Sequence, residues 1–554
     1  MKKFRGLILG IVGCLAFATI GYFWANGLIG SVFSFRSPLR NTPPAPGAPL
    51  DTRLSRKVVI VLVDALRYDT SMDDKVMPFL NQLRANGASA KMHSQPPSFS
   101  EPGYTTILTG AWPDINDGPA VNLDYVDIPT FTQDDIFSAA HRSGLKTAIS
   151  GYYWFEKLVP QNAVDGSFYT PGEDAAADID VINAALPMVS DDYQLILIHI
   201  DQVDYAGHHL GGPMAPAWNK AATQADQYIH EIVAKLDLKQ DTIIVLSDHG
   251  QIDRGGHGGP EAINLLEPFV MAGAGVKANV YPDMYQVDVA QTIAVLLGTN
   301  LPASSEGMAQ TAMLTLSDDQ LSKLQAAELS EKRALFQDYV AAIKSQPSRQ
   351  PRPTVAFSYV AAMNEARADR QTRERPWRVV LALFLVIPPA FFLIVNWKKK
   401  FTWLLSGAVI YALVFNFRYA VLDGRTYSLS SVDSETWLIS YTAITAVIAL
   451  AIAWLIVMLR LRAFNAGAHY AARTSLQIVF FTLYLLAIPI LISFAINGIT
   501  VTWTLPEFYS IYVAAQSLLQ WVFVPAAGLL LTGVAALVTR LVPRSVRLEE
   551  KYRR

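Results

Sequence analysis

Cysteine is almost missing from this chain: Cys14, inside an apolar run, is the only one in 554 residues. Disulfides therefore hold no part of it together, and a thiolate metal site is excluded. Net charge is missing too, with 45 Lys and Arg against 47 Asp and Glu. A formal charge of −2 with no basic groove or recognition helix argues against nucleic acid as a partner. Charged residues of any sign are scarce, 17% against a hydrophobic share of 51%, and the apolar excess is concentrated at the two ends. That distribution is not that of an ordinary soluble protein.

Six stretches are apolar and long enough to cross roughly 30 Å of hydrocarbon: 7–24, 379–397, 401–422, 437–459, 476–496 and 511–538. The first follows Lys2, Lys3 and Arg5 and has no small-residue cleavage site, so it reads as an uncleaved signal anchor. The proline-rich piece 38–49 after it reads as a semi-rigid spacer. Basic residues at the start, at 398–400, at Arg460, Arg462 and Arg473, and from Arg540 onward all fall on one side, whereas the loops 423–436 and 497–510 are poor in them. Both termini are then expected in the cytoplasm, with the large intervening segment outside. The basic cluster 367–378 departs from this pattern, but it belongs to a large translocated segment, where charge counts for little.

That segment alternates between two periodicities. Aliphatic runs at 58–63, 195–200 and 243–247 read as buried parallel strands, and 77–86, 131–143 and 217–236 read as helices, so the fold class is α/β with helices on both faces of a sheet. Each run ends at an acidic residue: Asp64, then Asp201 and Asp204, then Asp248. In such sheets the functional site lies beyond the carboxyl ends of the strands. Asp204, His208, Asp248, His249 and His257 add two carboxylates and three imidazoles in that position, a donor set suited to hydrolytic zinc, with manganese or magnesium as alternatives.

A fourth element is Pro97-Ser98-Phe99-Ser100-Glu101-Pro102, in which Pro102 suits the first turn of a helix running to about Thr109. Ser100 then stands at the positive end of that helix, where an alkoxide and an arriving phosphate cost less. A serine hydroxyl still needs a base or a metal to remove its proton, and here the metal is expected to do it.

With these residues in hand, the chain resembles the alkaline phosphatase superfamily, and within it the type I phosphodiesterase/nucleotide pyrophosphatase branch that includes the GPI ethanolamine phosphate transferases. The resemblance covers about 57–307 and rests on five motifs in family order: 64–69, 97–102, 204–208, 247–250 and 256–258. It implies two divalent metal ions, one held by Asp204, His208 and His257, the other by Asp64, Asp248, His249 and the nucleophile Ser100. It also implies a phospho-serine intermediate, with Asn122 placed against a non-bridging phosphate oxygen. Sulfatases carry arginine where this chain has Tyr104, so sulfate ester hydrolysis is disfavoured.

Blander readings apply to other residues. Asp69 and Asp201 read as turn or cap residues, His199 and His209 as spectators, and Arg67 as a salt-bridge partner as readily as a phosphate contact. His93 has no motif. The aromatic run Tyr152, Tyr153, Trp154 and Phe155, with Tyr104, could form a nucleotide stacking slot, but such runs are more often core or a lipid-facing rim, and lipid versus nucleotide stays open.

The expected organisation is a cytoplasmic N-terminus and signal anchor at 1–36, a linker at 37–56 and an alkaline-phosphatase-like catalytic domain at 57–315. Connecting helices at 316–377, a five-helix bundle at 378–540 and a basic cytoplasmic tail at 541–554 complete it. The expected function is metal-dependent phosphodiester transfer or hydrolysis on lipid headgroups, with phosphoethanolamine as the transferred group. A tethered nucleotide pyrophosphatase or general phosphodiesterase is the enzymatic alternative, and a membrane scaffold or transporter with a vestigial domain the non-enzymatic one. The expected partner is a membrane lipid or a small phosphodiester; the expected location is a bacterial plasma membrane, with an endoplasmic reticulum membrane as the alternative. The oligomeric state is not legible.

Overall fold

A computed structural model describes residues 2–541, with side chains from Arg5 onward; the basic tail expected at 541–554 lies, apart from Leu541, outside the described residues. The chain divides into two compact units. One comprises Val32–Arg373 and Thr502–Leu505, the other the chain up to Ser31, Glu374–Val501 and the chain from Pro506.

The first unit is built on a nine-stranded sheet. Its strands are β1 (Lys57–Val63), β2 (Ala88–His93), β3 (Thr147–Tyr152), β4 (Gly166–Thr170), β5 (Leu195–Ile200), β6 (Asp241–Leu246), β7 (Leu266–Gly273), β8 (Asn279–Val280) and β9 (Met284–Tyr285). The order is β4-β3-β5-β1-β6-β7-β2-β8, with β9 on β2. From β4 to β6 the strands are parallel, as the aliphatic runs imply; β7 is antiparallel to both β6 and β2.

All seven residues of β1 are buried, because each face of the sheet has its own core. Val58, Ile60 and Leu62 pack with residues of the helices Ser100–Thr109, Ile136–Arg142 and Asp288–Leu297, whereas Val59, Val61 and Val63 pack with those of Pro78–Asn86, Ala175–Ser190 and Pro216–Val233. Strand alternation sends neighbours to opposite faces, so a run apolar at every position is what a sheet covered on both sides requires. At about 1.5–3 kcal/mol per buried aliphatic side chain, these two layers dominate the stability of the unit. Lys57 opens the strand with its Nζ turned to backbone, donating to Val189 O and, at 2.7 Å, to Asp191 O.

Helix boundaries differ from expectation where caps decide them. The helix expected over 131–143 begins only at Ile136, since Asp135 accepts from the N–H groups of Phe137 and Ser138. The proline-rich segment is not a free spacer: Arg36 and Ser37 are bound to Asp117, Leu39 is fully buried, and Leu50 and Asp51 donate to Thr299 O and Gly298 O.

The second unit carries the apolar helices. Among the described residues six are long and apolar enough to cross a membrane: Arg5–Phe33, Ala356–Val395, Lys399–Leu422, Glu435–Arg460, Ala468–Asn497 and Phe508–Leu541. The protein is thus an integral membrane protein. The connecting helix expected over 355–375 and the span after it are one continuous 40-residue helix, Ala356–Val395, running through Pro376, Pro388 and Pro389. A proline removes one N–H and leaves the rest of the ladder intact, and in a membrane neighbouring groups satisfy freed carbonyls. The span from Lys399 is α-helical to Asn416 and ends in a π-helical turn, Phe417–Leu422. Three aromatic donors inside this unit meet partners: Tyr411 donates to Gln520 Oε1 at 2.7 Å, Trp454 Nε1 to Ser475 Oγ at 2.8 Å, and Trp521 Nε1 to Leu483 O at 3.1 Å.

Candidate active site

The chain turns sharply at the carboxyl ends of β1, β5 and β6, and the motif residues stand in those turns. Asp64 follows β1, and the next residue, Ala65, has φ +58, an uncommon conformation for a residue with a Cβ. That turn aims the Ala65 N–H at Asp248 Oδ1, 3.2 Å away past the end of β6. Asp204 and His208 lie on the helix Gln202–His209 after β5, where i,i+4 spacing brings them to 3.5 Å. The loop after β6 supplies His249 and His257.

Ser100 opens the helix Ser100–Thr109, as its motif suggests, at the positive end of the helix dipole. Gly103 lets this helix settle against Asp248; a Cβ there would stand 2.8 Å from the aspartate Cβ. Ser100 Oγ reaches His249 Nε2 at 3.1 Å. Asn122 Oδ1 accepts the Glu101 N–H at 3.1 Å, and its Nδ2 has no partner among the described residues, which leaves a donor pair beside the serine.

The proton inventory of the cluster favours a cation. His257 Nδ1 faces Ser98 O and His249 Nδ1 faces Gly250 O, both at 3.1 Å, so these nitrogens carry the hydrogens of the neutral rings and the Nε2 atoms present lone pairs. Those lone pairs point at more negative charge. His249 Nε2 lies 3.3 Å from Asp248 Oδ2 and 3.6 Å from Asp64 Oδ1, and both oxygens are buried without a hydrogen-bond partner. His257 Nε2 lies 3.6 Å from Asp204 Oδ1 and 2.9 Å from His208 Nε2. Ligand atoms of Asp204, His208 and His257 converge in one group, and those of Asp64, Asp204 and His249 in another, so the Asp204 carboxylate is within reach of both. Burial, then the Asp248 charge, pushes the Asp64 carboxyl up to about 7; burial raises Asp248 well above the usual carboxylate range and, with His249 and His208 nearby, holds His257 well below the usual imidazole value. Neutral imidazoles and crowded carboxylates without thiolate are the donor set of hard or borderline divalent ions, and the residues fit such a group.

Several residues gain or lose standing. His199, read as a spectator, has its Nε2 at 3.1 Å from Asp64 Oδ2 and 2.8 Å from the Tyr104 hydroxyl, which itself donates to Asp64 Oδ2. Tyr104 lies one turn beyond Ser100 on the same helix face, the signal that could have placed it. Gln251 Nε2 donates to Asp204 Oδ1. Arg67 is taken up by Asp69 and Asp253, and His93 pairs with Asp283; both lie in salt bridges. His209 packs on Tyr205. Asp201 occupies the cap position of its helix but makes no side-chain capping bond.

With the geometry in view, comparison with known proteins decides the family. A family model described as type I phosphodiesterase / nucleotide pyrophosphatase matches residues 58–117 and 127–298. The domain belongs to the alkaline phosphatase superfamily, in that branch. Among curated relatives, the catalytic subunit of human GPI ethanolamine phosphate transferase 2 is 26% identical over 310 residues, 49% of this chain and 31% of the relative. GPI ethanolamine phosphate transferase 2 of Yarrowia lipolytica is 25% identical over 60% of this chain and 43% of its own. The chain thus spans about a third of the human relative and under half of the yeast one. Human ectonucleotide pyrophosphatase / phosphodiesterase 5 superposes with a TM-score of 0.39 at 14% identity, over 48% of this chain and 99% of the other.

Proposed function

We propose that this membrane-embedded member of the superfamily transfers or hydrolyses phosphodiester headgroups through a phospho-serine intermediate, with phosphoethanolamine from a phospholipid as the transferred group. The observation that carries the reading is Ser100 Oγ, 3.1 Å from His249 Nε2 at a helix N-terminus, beside two buried, unpartnered carboxylate oxygens. The names of the relatives support the transferred group.

Divalent ions, when bound among Asp64, Asp204, His208, Asp248, His249 and His257, supply charge to stabilise the attacking and leaving oxygens. The chain's own residues do the rest. Ser100 Oγ attacks phosphorus, the bond to the lipid alcohol breaks, and diacylglycerol leaves with a proton. The positive end of the helix and the Asn122 Nδ2 face the developing charge on the non-bridging oxygens. In the second step a water or acceptor hydroxyl attacks the same phosphorus, the bond to Oγ breaks, and the serine recovers its proton. The proposed topology has both termini cytoplasmic and the catalytic domain on the far side; the animal and fungal relatives favour the endoplasmic reticulum alternative over a bacterial plasma membrane.

Turnover of fluorescent phosphatidylethanolamine and of bis-p-nitrophenyl phosphate by the purified protein with zinc tests this. Ser100→Ala should lower turnover on the order of 10³-fold or more while zinc content stays near normal. An active alanine variant removes the serine from the mechanism. Release of p-nitrophenol without diacylglycerol moves the assignment to a tethered phosphodiesterase.

A further inference from the structure

The strand order sets a second constellation beside the metal-ligand cluster. β6, β1 and β5 lead into Asp248, Asp64 and Asp201, whereas the next strands outward, β3 and β4, end at Tyr152 and Thr170, which are paired in register. Glu173 follows shortly after. Along the carboxyl edge the sequence of groups is therefore Glu173, the aromatics Tyr152, Tyr153 and Trp154, then Asp201, then Asp64.

The Tyr152 hydroxyl donates to Glu173 Oε1 at 2.5 Å, and its ring stands edge-on to Tyr153 and Trp154 at 4.8 and 4.9 Å. Asp201 is only 6% exposed, yet among the described residues its carboxylate accepts no hydrogen bond and joins no ion pair. Its backbone N–H is fixed by Asp178 Oδ1 at 2.9 Å, so it is not a mobile group. The charges that reach it most strongly, Asp64, Asp204, Asp178 and Glu173, are all acidic. It is not among the residues whose ligand atoms converge in the two metal groups. A buried, fixed, unpartnered carboxylate of this kind demands a cation or hydrogen-bond donors from outside the chain.

We propose that Asp201, Glu173 and the Tyr152 to Trp154 aromatics form a subsite for a primary ammonium group carried by the phosphodiester substrate, adjoining the phosphorus position at Ser100. The proposal rests on the phosphodiester reading above and assigns the residues that would recognise the amine of the transferred group. An –NH₃⁺ group has three donors for two carboxylates and is attracted to an aromatic face; a quaternary ammonium offers no N–H and leaves Asp201 unpaired. A nucleobase is disfavoured at this wall, because Tyr125 and Tyr153, the pair best placed to sandwich one, already stack on each other at 4.3 Å and 6°.

The test uses the full-length, zinc-supplemented protein and two esters with the same leaving group, p-nitrophenyl 2-aminoethyl phosphate and p-nitrophenyl propyl phosphate. The expected result is a preference for the aminoethyl ester on the order of tenfold in kcat/KM, a ratio that falls toward one in Asp201→Asn and in Glu173→Gln. As a readout needing no variant, 2-aminoethylphosphonate should inhibit the wild-type protein more strongly than propylphosphonate. A wild-type ratio near one with equal inhibition overturns the subsite and leaves the phosphodiesterase reading standing. A preference that persists in both variants overturns these residues as its source. If neither ester is turned over, the phosphodiesterase reading itself fails and takes the subsite with it.

Discussion

Buried polar groups are handled in opposite ways at the sheet's carboxyl edge and inside the apolar helices. Among the helices, the aromatic donors meet acceptors: Tyr411 with Gln520, Trp454 with Ser475, Trp521 with a backbone carbonyl, although Thr442 Oγ1, Gln477 Oε1 and Gln516 Nε2 are buried without a partner among the described residues. Such pairs hold helices together where water cannot compete. At the strand ends, lone pair meets lone pair: His249 Nε2 faces the unpartnered oxygens of Asp248 and Asp64 at 3.3 and 3.6 Å. The first arrangement contributes stability; the second costs it until a cation arrives, which is how functional sites differ from structural polar cores.

The strongest way to break this contrast is to withhold the cation. Chelation should abolish turnover and lower the melting temperature, and zinc should restore both, with calorimetry and activity read on the same sample. Preservation of both in chelator would mean that the cluster holds no ion.

Next in size is an inversion of sign. Asp64→Asn removes one of the repelling charges, so the metal-free protein should gain about 1–2 kcal/mol of stability while zinc affinity falls on the order of 100-fold. A destabilised metal-free variant would show that the crowding is not costly.

A pH scan sharpens the same point. Burial raises Asp64 and Asp178 from 3.8 to about 7 in the folded chain. The folded state thus binds protons more tightly than the unfolded one between those values, and the stability they contribute is full below about 4 and lost as pH rises through about 7. The metal-free melting temperature should fall across that window, and zinc affinity should rise across it. A metal-free protein that gains stability there contradicts the assignment.

The smallest effect is expected among the helices, where Tyr411→Phe leaves Gln520 Oε1 without its donor. A loss of about 0.5–1 kcal/mol in detergent, with turnover unchanged, is the expected outcome. A large loss of turnover would tie this pair to the chemistry.

What the sequence reveals and what it conceals follow from how local each signal is. Asp64, Asp204, His208, Asp248, His249 and His257 were legible because each sits in a short motif at a strand or helix end, and the structure brings them together. His199 was not, because its place against Asp64 depends on Tyr104 arriving from a different helix, a contact no spacing encodes. The parallel strands showed as unbroken aliphatic runs, whereas antiparallel β7 and β2 carry Pro268, Lys91 and mixed residues that disguise them. The long helix was read as a connecting helix followed by a span because its first half is charged and its second apolar, a change in composition that the continuous backbone does not follow.

β1 has a further consequence for folding fidelity. Because it is apolar at every position after Lys57, sliding it by one residue against β5 or β6 would exchange its two faces and still bury mostly hydrocarbon, so hydrophobicity alone does not proofread the alignment. The end residues do: a slip would pull the Lys57 ammonium from the carbonyls of Val189 and Asp191 and drive Asp64 into the core or out of the site. The same aspartate that stands in the proposed site thus acts as an end stop, and a chain that folds out of step takes that site apart in the act.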